Sequence, residues 1–155
     1  MSTEKPRIDL VREANDVYKT LVKVAGTSRH FAGNNGIGRD LAELVNVRVS
    51  QMNGCLACLE QHTPEAREAG VPEQKLDLLT AWRDAELYDD RERAALGLAE
   101  ALTALPDPEE HDRAYDAAAA VFNDAELAAL QWTIVAINAF NRVSIASGHQ
   151  PRKRG

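Results

Sequence analysis

From Leu127 to Ile145 the chain is apolar around most of a helical circumference, with Leu127, Leu130, Trp132, Ile134, Val135, Ile137, Phe140, Val143 and Ile145. A helix without a polar face cannot rest on a surface, so this stretch predicts a central helix or one buried against another subunit. Asp124 begins it, and Gly148 and Pro151 end it.

The segments before it carry the same period. Leu10, Val11, Ala14, Val17, Tyr18, Leu21, Val22 and Ala25 recur at steps of three and four, which predicts a helix from Ile8 that stops before Gly26. A joint follows at Gly33-Asn34-Asn35-Gly36-Ile37-Gly38. It lacks the Lys-Ser/Thr of a phosphate loop and reads as a helix-to-helix connection. The next helix spans Arg39 to Met52 and is stopped by Asn53-Gly54. Another begins near Cys55 and contains Pro64, which either kinks it or starts a second segment capped by Thr63; Gly70 ends it. Pro72 opens a helix through Arg83, and Asp89 with Glu92 forms a capping box for one through Ala104. Asp107-Pro108-Glu109-Glu110 repeats the cap signal. The expectation is an all-α single domain over residues 1–155, of about six to seven helices. Residues 1–6 read as a polar lead-in, and the basic Pro151–Arg154 as a solvated tail.

A net charge of −6 argues against nucleic-acid binding, which needs a basic face. No apolar run reaches the ~20 residues of a membrane span, and the N-terminus is not a signal peptide. These features predict a cytoplasmic protein. In that reducing compartment two close cysteines point to redox or metal chemistry rather than a structural staple.

Both cysteines lie in ELVNVRVSQMNGCLACLEQHTPEAREAG, with Glu43 twelve positions before Cys55 and His62 four after Cys58. On a helix turning about 100° per residue, Cys55, Cys58 and His62 fall within roughly 60° of each other, and Cys58 and His62 are i, i+4 neighbours. The thiols would lie at a helix N-terminus, whose dipole stabilises a thiolate. Glu43, on the preceding helix, could fold back beside them. As a bare anion it would oppose the thiolate, so a relay is predicted in which the proton passes from Cys58 to a water or His62 and then to Glu43. Two other readings stand beside this one. The cysteines could be small core residues, or Cys55, Cys58, His62 and Glu43 could be zinc ligands, although the usual second ligand pair is absent.

The spacing Glu43-x11-Cys55-x2-Cys58-x3-His62 resembles the active-site motif of the alkylhydroperoxidase D-like branch of the carboxymuconolactone decarboxylase family. LLTAWRDAELYDDRERAALGLAEALT and INAFNR (Ile137 to Arg142) are similar to that family as well, and the resemblance covers residues 38–146. It implies an all-helical fold assembling into homo-oligomers: dimers, trimers or hexamers. It implies thiol peroxidase or disulfide reductase activity on hydroperoxides, with Cys58 as nucleophile, Cys55 as resolving thiol, and Glu43 and His62 as the proton relay. A lipoyl-bearing or thioredoxin-like dithiol protein would be the reductant, and no bound metal, flavin or haem is required. The chain departs from the best-known peroxidase of this type in having Leu56 and Ala57, and no histidine, between its cysteines. The decarboxylase that names the family lacks the thiol motif, so lactone decarboxylation is not expected. The alternative is a non-catalytic oligomeric redox sensor or partner-binding subunit of the same fold.

Overall fold

The structure, a computed structural model, describes residues 6–154; the first five residues of the expected lead-in lie outside that range. The described residues form eight α-helices and one 3-10 helix. They are α1 Leu10–Glu13, α2 Asn15–Asn34, α3 Arg39–Asn53, α4 Leu56–Glu68, α5 Glu73–Asp77, the 3-10 helix Leu79–Asp84, α6 Asp90–Ala104, α7 Pro108–Ala119 and α8 Asp124–Ser147. The expectation of an all-helical chain holds, and six of these helices are twelve residues or longer.

α8 packs against α2, α3 and α6, while α3 packs against α4, α6 and α8. Leu127, Leu130, Ile134 and Ile137 of α8 meet Leu41, Val45 and Val49 of α3 and Leu98 of α6 in the main core. α8 is therefore central, but not enclosed: Trp132 is 54% exposed and Val135 50%. Its start is better capped than the sequence suggested. It starts at Asp124 as expected, and Asn123 is its N-cap, forming a reciprocal box with Glu126. The box expected at Asp89 and Glu92 is present, as are the Asp107 cap with Pro108 in the first turn and the left-handed Gly54 after α3.

Three boundaries differ from expectation. The first helix is split at Ala14. Asn15 Nδ2 donates to the Val11 carbonyl, the acceptor that a regular helix gives to the Asn15 N–H. The second piece then runs through Gly26 to Asn34, because the chain first meets a positive φ at Gly36 (81°). The helix expected from Pro72 to Arg83 breaks into α5 and the 3-10 helix. Leu76, Leu79 and Trp82 are all buried at strict three-residue steps. That spacing aligns on a 3-10 helix and drifts on an α-helix, and Leu78 is left exposed. The expected solvated tail is exposed but attached: the Arg152 N–H donates to Glu60 Oε2 at 2.7 Å.

A buried polar knot fixes the end of α3. Asn141 is fully buried; its Nδ2 donates to Ser50 Oγ (3.1 Å) and its Oδ1 accepts from Asn53 Nδ2 (2.9 Å). The Ser50 carbonyl in turn accepts the Cys55 N–H at 3.0 Å. Asn141→Ala would leave the buried Ser50 hydroxyl without its partner, while Asn53 keeps its bond to Asn138 Oδ1, and would open a small void; it is expected to cost about 2–4 kcal/mol, read as a lowered urea midpoint.

Candidate active site

Two helices and the turn between them bring the site together. α3 enters at Gly38 and buries Glu43 with its leucines and valines, so Glu43 is only 4% exposed. Gly54 adopts φ 66°, a left-handed turn that suits glycine, and sends the chain back as α4 along α3. Cys55 becomes the N-cap of α4, and Cys58 sits in its first turn. The first α4 amide with a carbonyl partner is Leu59, which bonds to Cys55, so the amides ahead of it form the positive helix end beside the sulfurs. α4 stays helical through Pro64 to Glu68, so no second segment capped by Thr63 begins here. His62 therefore keeps its place one turn beyond Cys58.

Cys55 and Cys58 are joined as a disulfide with their Cα atoms 5.3 Å apart. Glu43 and His62 meet across the two helices: His62 Nδ1 lies 2.7 Å from Glu43 Oε2. Glu65 Oε2 lies 3.4 Å from the same nitrogen. With two carboxylates facing Nδ1, that nitrogen carries the proton and donates it, leaving Nε2 with its lone pair in the neutral ring.

A cavity of about 530 Å³ runs between α2 on one side and α3, α4 and α8 on the other. Glu43, Cys58 and His62 line it; Cys55 does not line it and is 1% exposed. The cavity walls of α2 and α8 are largely apolar, including Val22, Ala25, Ile137 and Phe140.

Glu65 was not singled out from the sequence. The signal was the His62-x2-Glu65 spacing, which puts the two on one helix face. Glu43, His62 and Glu65 offer donor atoms within 4.8 Å of one another and, among the described residues, form a group that could hold a metal ion. The zinc set weighed from the sequence differs, since in this disulfide form its two sulfurs are bonded to each other. The α2 wall of the cavity was likewise missed.

The fold and the bonded pair define a helical dithiol–disulfide protein. The chain belongs to the carboxymuconolactone decarboxylase family, whose profile matches residues 15–101. It is 35% identical over 129 residues to the uncharacterized protein YdfG of Bacillus subtilis, covering 83% of this chain and 88% of that protein. A 47-residue stretch is 45% identical to the alkyl hydroperoxide reductase AhpD of Nocardia farcinica, covering 30% of this chain and 26% of that one. Among solved structures, a protein of unknown function from Agrobacterium tumefaciens, suggested to be the antioxidant defence protein AhpD, superposes with a TM-score of 0.84 at 28% identity. That match covers 97% of this chain and all of the other. The debrominase Bmp8, solved with 2,3,4-tribromopyrrole, shares the fold at a TM-score of 0.77 and 19% identity, over 92% of this chain and 74% of Bmp8. No helix among the described residues is long and apolar enough to cross a membrane.

Proposed function

We propose that the protein is a thiol-dependent peroxidase, a disulfide oxidoreductase that reduces hydroperoxides through Cys58 and Cys55 with His62 and Glu43 as proton relay. The reading is carried by one observation: Cys58, His62 and Glu43 line a single cavity, while the sulfur bonded to Cys58 belongs to a residue behind it. The partial match to an alkyl hydroperoxide reductase supports it.

In the reduced protein the Cys58 thiol gives its proton to Nε2 of His62, and Glu43 stabilises the resulting imidazolium through Nδ1. The thiolate attacks the outer oxygen of the hydroperoxide. The O–O bond breaks, the alkoxide leaves as alcohol with the relayed proton, and Cys58 becomes a sulfenic acid. Cys55 attacks that sulfur, an S–S bond forms, and the oxygen departs as water. The substrate gains two electrons, which come from the thiol pair. A dithiol protein, lipoyl-bearing or thioredoxin-like, returns two electrons and two protons by exchange and leaves as its own disulfide. The cycle needs no metal, flavin or haem. It suits a cytoplasmic setting, where dithiols are kept reduced. Exposed Trp132 and Val135 on α8 support assembly into a homo-oligomer.

The test is thiol alkylation with mass measurement, followed by turnover. Reduced protein is expected to take two alkyl groups and, after one equivalent of hydroperoxide, none, with a mass lower by two hydrogens. With excess hydroperoxide and dithiol it is expected to consume peroxide continuously. A protein that oxidises once and stops would be a sensor, and unchanged thiols would remove redox chemistry altogether.

A further inference from the structure

We propose that the substrate class of this site is an organic hydroperoxide carrying a carboxylate, with Arg29, assisted by Arg39, holding the carboxylate where the two arginines line the cavity. This rests on the peroxidase reading and adds to it the chemistry that selects the substrate.

The cavity is far larger than the reaction requires. At about 530 Å³ it falls in the range of sites for drug-sized ligands, roughly 300–1,000 Å³, whereas a peroxide group alone occupies little more than a water. It is also elongated. Tyr18, Val22, Ala25 and Arg29 follow one face of α2 at steps of four, three and four, so that wall extends about 16 Å at the helical rise. Ile137 and Phe140 of α8 face the same space. Such a slot fits an apolar chain lying along α2.

Two arginines, Arg29 and Arg39, are among the residues that line it. Arg29 lines the cavity, is exposed, and has no hydrogen bond or ion pair among the described residues. By contrast, Arg48, Arg67, Arg83, Arg91 and Arg113 are each held by a carboxylate. Arg39 also lines the cavity, and its one ion pair is a 3.8 Å contact to Glu68 between largely exposed side chains, which contributes little. Arg39 is the first residue of α3, beside Asp40 in the same turn, so its guanidinium, and not the helix end, is what would meet an anion there. The one carboxylate lining the cavity, Glu43, is already engaged by His62. Arg39 and Glu43 lie one turn apart on α3, about 6 Å along its axis. An anion at the arginines would thus lie near the relay without displacing it. A guanidinium fork matches a carboxylate, and the apolar slot takes the rest of the molecule.

Binding of a redox-inert product analogue tests this without turnover. Titration calorimetry on the full-length protein in its disulfide form would compare ω-hydroxydecanoate with its methyl ester, which keeps the chain and removes the charge. The acid is expected to bind at least about tenfold more tightly than the ester, and Arg29→Gln to erase most of that ratio, with Arg29→Lys restoring part of it. Equal binding of acid and ester, no heat from the acid, or an unchanged ratio in Arg29→Gln would overturn the proposal. Failure of the peroxidase reading would instead appear as absent hydroperoxide consumption, whatever the titration gives.

Discussion

Cys58→Ser is expected to lower dithiol-dependent hydroperoxide consumption by at least about a thousandfold, because a serine hydroxyl in place of the thiol removes the nucleophile itself. Cys55→Ser should behave differently. Its Cys58 can still attack once, so one equivalent of peroxide is consumed rapidly and a sulfenic acid accumulates that a dimedone-type probe can trap. The asymmetry follows from position. Cys58 is on the cavity wall in the first turn of α4, where unpaired amides favour the thiolate, and Cys55 is the N-cap behind it. The measurement is stopped-flow peroxide loss together with trapping and mass determination for both variants. A rapid single turnover in Cys58→Ser, with the trapped oxygen on Cys55, would reverse the assignment of the two sulfurs.

Much of the frame was legible because its signals are local. Asp89 with Glu92, Asp107 with Pro108, and the left-handed Gly54 each act within a few residues, and each stops or starts a helix where expected. The approach of Glu43 to His62 was legible for a related reason: a short turn at Asn53 and Gly54 reverses the chain, and reversal lays α4 back along α3. What could not be read depends on distant partners. The break between α5 and the 3-10 helix is set by burying Trp82, whose indole donates to Glu100 on α6. The role of Asn141 needs Ser50, 91 positions away. Arg29 falls beyond the expected end of the first helix before Gly26, and the cavity beneath α2 is what distinguishes it. Glu65 had a readable spacing, but its significance came from Glu43 reaching the same nitrogen.

Glu43→Gln is expected to slow peroxide reduction at neutral pH by about 10²–10³-fold, within the usual range for losing general acid–base help. The amide keeps an oxygen to accept from His62 Nδ1 but loses the charge that favours the imidazolium formed when Cys58 gives up its proton. Its shape is conserved, so the buried pocket at 4% exposure is left filled and the effect separates from unfolding, checked by urea. The pH profile distinguishes a relay from mere support. A rise in pH favours a thiolate without help from a base, so a deficit that comes from proton transfer should shrink as pH rises. His62→Asn should show the same convergence, and the double variant should be little worse than either single one, since both groups serve one proton transfer. Glu65→Gln, at 3.4 Å rather than 2.7 Å from the imidazole nitrogen, should cost less than about tenfold. A deficit in Glu43→Gln that stays constant from neutral pH to pH 9 would mean that Glu43 supports the fold of the site rather than the movement of its proton.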